Sequence, residues 1–358
     1  PQVSNGPLAK SRWERCLFQG QFGPVINRVL QKGDRAMKVH ILDDWFDTLR
    51  SLPCFAKLAD HEVTVWTDHE PDPIKLAARL QEAEALVLFR ERTKVGAELL
   101  AGLPNLKLIS QRSVYPHVDV PACTARNVLL SSNMHSDTPS YAAAEHTLAL
   151  ILASYRQIPQ QVTSLQAGRW QSGVGRTLRG RTLGLYGYGR IAGAVAGYAK
   201  AMGLKVLWWG SEAGRARATT AGETVAPSRA AFFRECDIVS LHVRLTPATR
   251  GLITAEDLAL MQPRALFVNT SRSGLVAPGA LEAEIAKGQL HAAVDVFDHE
   301  PLLDREHILL THPNVLATPH IGFVTEDEFD MQFSDIFDQI NAYAAGAPIH
   351  MINPEAYQ

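Results

Sequence analysis

The chain has 358 residues, 46% of them apolar, with 35 basic against 37 acidic side chains. That length suggests two domains, and the near-balanced charge excludes the concentrated basic stripe that nucleic-acid backbones and anionic membranes demand. Apolar runs such as 148–153 are far shorter than the roughly 20 residues that cross a bilayer, so no membrane helix is expected.

Residues 1–36 mix charge, Gly and Pro without a period, and lack the apolar stretch and small-residue cleavage site of a secretory leader. The fold is expected to begin at Met37, with the preceding stretch an extension outside it. From there short apolar runs alternate with amphipathic stretches: strand 38–42, helix 46–58, strand 62–67, helix 74–83, strand 85–89, helix 96–103, strands 106–110 and 128–131. Runs without polar alternation read as parallel strands buried on both faces, and strand–helix alternation predicts a parallel α/β domain. A long Ala/Leu-rich helix should follow over 140–167, interrupted near Pro159. A second alternation then starts with strand 182–186, helix 190–202 and strand 205–209. Further strands are expected at 237–242, 265–269, 291–296 and 315–317, and a terminal helix at 327–345. Cys16, Cys54, Cys123 and Cys236 are too scattered for a metal site or redox dithiol, which leaves reduced thiols in a cytoplasmic protein.

Between the first strand and helix of the second alternation lies Gly187-Tyr188-Gly189-Arg190-Ile191-Ala192. The first Gly permits a tight turn, the second a close approach of backbone to a pyrophosphate, and the small third residue helix–strand packing. The helix amino terminus then offers free N–H groups to the phosphates. The flanking strand and helix turn a common string into a dinucleotide-binding expectation, to which Arg190 and Ile191 belong. Where an NAD site usually ends its second strand with an acid, this chain has Gly210-Ser211-Glu212, then Arg215 and Arg217. Loss of the carboxylate and nearby guanidinium groups favour NADP over NAD, with Ser211 and Arg215 at the ribose. The alternative leaves both arginines as solvated loop charges while Glu212 reaches the ribose.

Three later strands end in reactive side chains: Asn269-Thr270-Ser271-Arg272, Asp295-Val296-Phe297-Asp298-His299-Glu300-Pro301, and Thr318-Pro319-His320. Ligands of open α/β sheets lie beyond the carboxyl ends of strands, so Arg272, Glu300 and His320 can converge there. His320 suits proton donation to a carbonyl oxygen, since imidazole titrates near working pH. An ionised Glu300 would favour the imidazolium and fix the ring, and Arg272 offers a planar fork to a carboxylate.

With Ala144-Glu145-His146-Thr147, Gly168-Arg169-Trp170 and Thr246-Pro247-Ala248-Thr249-Arg250, this ordered set resembles the D-isomer-specific 2-hydroxyacid dehydrogenases from about Met37 to the end. That family includes phosphoglycerate dehydrogenases and glyoxylate/hydroxypyruvate reductases. The resemblance implies hydride transfer between NAD(P) and a D-2-hydroxy acid/2-keto acid pair. It makes Arg272, Glu300 and His320 catalytic, adds Thr270 and Asp295 to the cofactor contacts, with Asp295 facing the nicotinamide amide, and gives Arg90, Ser113 and Arg272 to the substrate. It also implies an α/β fold of two parallel-sheet domains. One is a flavodoxin-like substrate domain over 37–137, completed by 322–358, and the other a Rossmann domain over 138–321. A homodimer formed through the latter is implied, with no metal, nucleic acid or membrane partner.

Three departures bear on the substrate. The stretch 111–117, where the family usually has a glycine loop for the carboxylate, has no glycine. Arg244 stands where a Pro is common in His-x-Pro-Leu, and Glu91 follows Arg90 where a small residue is common. Two readings of the same fold compete: a dinucleotide-sensing corepressor-like scaffold and a phosphite-oxidising relative.

Overall fold

The computed structural model describes residues 35–134 and 141–357, which divide into two compact units, 35–134 with 332–357 and 141–331. The extension expected over 1–36 lies outside the described residues except for its last two.

The first unit is a five-stranded sheet: β1 Lys38–Ile41, β2 Glu62–Val65, β3 Ala85–Val87, β4 Leu108–Arg112 and β5 Leu129–Asn133. Its order is β2-β1-β3-β4-β5 with every pair parallel, the flavodoxin-like arrangement. One face buries Leu76, Leu80, Leu99, Leu100 and Leu103 against Leu86, Ile109 and Leu130. The end of the last helix, Glu326–Ala344, serves the same unit, with Phe333 against Phe89 and Phe337 edge-on to Phe55.

The second unit has six strands: β6 Thr182–Tyr186, β7 Lys205–Trp209, β8 Ile238–Leu241, β9 Leu266–Asn269, β10 His291–Val294 and β11 Val315–Ala317. They run β11-β10-β9-β8-β6-β7, all parallel. A bridge from Trp208 to Val225 adds a rudimentary edge strand beside β7, which yields the Rossmann order around the reversal between β6 and β8. Successive residues bury opposite faces: Val239, Leu241 and Phe267 on one, Ile238, Leu266 and Val268 on the other. Both faces being covered is why these strands show no polar alternation.

The expected helix over 46–58 is instead two short 3-10 turns, Leu49–Ser51 and Pro53–Leu58. Pro53 has no N–H to donate, and Asp47 takes a left-handed φ of 49°. The long helix breaks as Ala142–Arg156 and Ile158–Gln166 around Gln157 at φ 54°, with Pro159 tolerated in the first turn of the second piece. The helix Glu212–Thr220 after β7 and short helices at Val120–Ala125, Arg229–Glu235, Ala255–Ala259 and Ala280–Ala286 were not signalled by periodicity. No helix among the described residues is long and apolar enough to cross a membrane.

Candidate active site

The register of the second sheet aligns Leu241, Asn269, Val294 and Ala317 across β8, β9, β10 and β11. The loops that leave those residues therefore start along one sheet edge, and three of them carry Arg272, Glu300 and His320.

His320 sits at φ 55°, a left-handed conformation disfavoured for any residue with a Cβ and found most often at functional sites. Its Nδ1 is 2.6 Å from Glu300 Oε2, and Phe297 N–H donates to Glu300 Oε1 at 2.9 Å. Burial opposes ionisation of Glu300, but the hydrogen bond and charge of His320, the Phe297 N–H and the charge of Arg272 hold its carboxyl below the usual range. Glu300 is thus a carboxylate at neutral pH. With Nδ1 committed to Glu300, Nε2 is the nitrogen that faces chemistry. Arg272 anchors one guanidinium nitrogen on Ser271 O at 2.7 Å, while Asn269 Nδ2 donates to Arg272 O at 2.9 Å and fixes the loop.

Asp295 is buried and held by its own chain. Its Oδ1 accepts from Thr318 Oγ1 at 2.6 Å and Ile321 N–H at 2.9 Å, and lies 3.2 Å from His146 Nε2; its Oδ2 accepts from Gly322 N–H at 2.8 Å. Burial again opposes the charge, and these donors, His146 and Thr318 foremost, depress the carboxyl. Thr270 meets Thr147 Oγ1 at 2.7 Å, and Thr147 in turn donates to Ala143 O. The helix Ala142–Arg156 therefore reaches two of the loops that carry the reactive side chains. Sequence reasoning singled out its Glu-His-Thr string without a role, and it named Thr318 only as part of the string that ends in His320. Only contact in space assigns these residues.

At the glycine turn, Gly187 has φ 114°, and a Cβ there would lie 2.3 Å from His242 O, so only glycine fits. Gly189 caps the helix Arg190–Ala201, where no side chain occupies the capping position and nothing lies within 4 Å of an added Cβ. That open, uncapped helix start, with exposed Arg190 and Ile191 beside it and buried Ala192 beneath, fits a pyrophosphate. Burial pushes the His242 imidazole down to about 4, so it is neutral beside the turn.

At the ribose end, Ser211 caps the helix Glu212–Thr220 by accepting from Gly214 N–H. Arg215 stacks on Trp209 at 4.3 Å and donates to Gly210 O at 2.6 Å, while Arg217 donates to Tyr188 O at 3.2 Å. Both arginines thus lie against the glycine turn and the end of β7 rather than on a free loop. Gly210 has φ 154°, and its added Cβ would come 3.4 Å from Gly187, a backbone reason for the missing acid.

In the first unit, Arg90 and Ser113 follow β3 and β4 and take left-handed φ of 59° and 78°. Ser113 N–H donates to Asn133 O, and its carbonyl accepts from Gln111 Nε2 and Ser132 Oγ. The loop without glycine thus reaches a glycine-like conformation, with serine bearing the strain.

Residues 148–322 match the family model for the NAD binding domain of D-isomer specific 2-hydroxyacid dehydrogenases. A glyoxylate reductase of Thermococcus litoralis is 32% identical over 82% of this chain and 91% of its own length. The chain belongs to the D-isomer specific 2-hydroxyacid dehydrogenase family. A D-3-phosphoglycerate dehydrogenase of Mycobacterium leprae is 38% identical over 81% of this chain but 54% of its own length. The chain spans about half the length of the curated phosphoglycerate dehydrogenases of this family that it matches. The crystal structure of a phosphoglycerate oxidoreductase from Vibrio cholerae, 44% identical, superposes with a TM-score of 0.82 over 87% of this chain and all of that one.

Proposed function

We propose that this dehydrogenase-family protein interconverts a D-2-hydroxy acid and its 2-keto acid with a nicotinamide dinucleotide. The observation that carries the reading is the 2.6 Å contact between His320 Nδ1 and an ionised Glu300, with the charge of Arg272 beside it. When bound, the dinucleotide supplies or accepts the hydride at the substrate's second carbon. In reduction the carbonyl oxygen gathers negative charge and takes the proton from His320 Nε2, which leaves a neutral imidazole to be reprotonated from solvent. Glu300 orients the ring through Nδ1. The Arg272 fork holds the substrate carboxylate and polarises the carbonyl. In oxidation neutral His320 takes the hydroxyl proton instead.

The unit of residues 141–331 is the dinucleotide unit in this reading. Gly187, Gly189, Arg190 and Ile191 surround the pyrophosphate, and Thr270 and Asp295 meet the nicotinamide end. Asp295 Oδ2, with one donor from Gly322, has a lone pair to spare for the amide. The unit of residues 35–134 and 332–357 is the substrate unit in this reading, and it carries Arg90 and Ser113. NADP is the favoured cofactor because Ser211 and Arg215 replace an acid at the ribose. Glyoxylate and a phosphoglycerate-derived keto acid are the candidate substrates suggested by what the relatives act on, and hydroxypyruvate is the one suggested by the family resemblance. Cys123 and Cys236 are buried thiols, which suits the cytoplasm.

The test is turnover of a 2-keto acid panel with NADPH and NADH, together with phosphite oxidation. Keto-acid reduction faster with NADPH is the expected result. Dinucleotide binding without turnover of any panel member would overturn the enzyme reading and favour the corepressor-like scaffold.

A further inference from the structure

His146 lies on the helix Ala142–Arg156, far in sequence from the loop that ends in His320, yet its Nε2 is 3.0 Å from Thr318 Oγ1 and 3.2 Å from Asp295 Oδ1. The direction of these contacts follows from the donors available. Thr318 spends its only hydroxyl proton on Asp295, 2.6 Å away, and Asp295 is an ionised acceptor. His146 must therefore be the donor, with its proton on Nε2. The carboxylate it supports receives the N–H groups of Ile321 and Gly322, the two residues immediately after left-handed His320. Successive N–H groups behind a left-handed residue form a concavity that binds an anion, and here the anion is Asp295. Packing leaves little slack: a Cβ on Gly322 would come 3.0 Å from Asp295 Oδ2 and 3.5 Å from the His146 ring.

We propose that His146 is a positioning residue for the reaction, acting through Asp295 to hold the strained turn that presents His320 to Glu300. The inference rests on the dehydrogenase reading given above. Losing the donor leaves a buried carboxylate short of a partner and loosens the turn, and small misplacements of a reacting group are costly in rate.

The experiment compares wild type, His146→Ala and His146→Gln, whose amide N–H can replace the Nε2 donor. In His146→Ala, kcat for keto-acid reduction should drop about tenfold or more. The keto-acid KM should stay near wild type, and His146→Gln should recover most of the rate. Amide hydrogen exchange at Ile321 and Gly322 should be slow in wild type and His146→Gln and accelerated in His146→Ala. That readout needs no turnover, so a wild type inactive on every keto acid would sink the function reading and leave the clasp still measurable. Unchanged exchange and kcat in His146→Ala would overturn the proposal. So would a parallel loss of kcat and melting temperature that glutamine does not repair.

Discussion

Glu300 Oε2 lies 2.6 Å from His320 Nδ1, so the charge on Glu300 bears directly on the ring it holds. The Glu300 carboxyl is depressed, so its charge is present above its depressed value and lost only as pH falls through it. Reduction should therefore weaken as pH falls through that depressed value, where Glu300 takes a proton and its charged contact with the ring is lost. Glu300→Gln removes the charge at constant size and should abolish that acid-side loss while lowering kcat/KM at neutral pH; the check is a pH profile of kcat/KM, where an unchanged curve would count against a role for the Glu300 charge. Arg272→Lys should cost more than tenfold in kcat/KM, because a point charge cannot replace a two-pronged contact worth about 1.5–3 kcal/mol per charged hydrogen bond. Ser113 offers a stability test at φ 78°. Ser113→Gly should relieve roughly 1 kcal/mol and raise Tm, while a higher keto-acid KM would reveal use of its hydroxyl. Arg272, Glu300 and His320 were legible because each ends or follows an apolar strand run whose edge the topology aligns. His146 and Thr318 were not, because their contact joins residues 172 apart and no local pattern encodes it.

The element after β7 decides the cofactor question. The helix Glu212–Thr220 has no apolar period, and Gly214 with two terminal threonines lowers its intrinsic propensity, so no helix was signalled there. The helix is capped by Ser211, whose hydroxyl takes the Gly214 N–H. Ser211→Ala should destabilise this helix by about 1 kcal/mol and so blur any ribose contact made from it. Arg215 is a cleaner probe, since it stacks on Trp209 and is tied to Gly210 O. Arg215→Ala should weaken NADPH binding by about tenfold or more and NADH binding little, as loss of one charge-assisted contact predicts. Fluorescence titration with both dinucleotides measures this, and equal weakening of the two would argue against a 2′-phosphate contact. Placing an acid at Gly210 is the less informative exchange, because the backbone there is at φ 154° against Gly187.

For the whole molecule, strand count and parallel pairing followed from short apolar runs, but strand order did not, since order is set by packing between distant segments. The edge strand at Val225 is a single bridge and left no apolar run to find. The surface of the second unit carries a feature that a lone subunit does not explain. On the helix Ile158–Gln166, Ile158, Val162 and Leu165 follow a helical spacing and are 49%, 48% and 59% exposed; Trp170 and Val174 beyond it are 79% and 87% exposed. Large apolar side chains grouped this way mark association surfaces, and each one covered is worth about 1.5–3 kcal/mol. The homodimer expected through this unit would cover them, and a two-fold axis would use the same patch on both copies. Leu165→Glu with Trp170→Glu would bury two charges at such a contact without touching the core of the subunit. Wild type should sediment as a dimer at micromolar concentration, and the double variant as a folded monomer with an unchanged circular dichroism spectrum. A wild type that sediments as a monomer, or a double variant that still pairs, would show that this patch does not hold the dimer together.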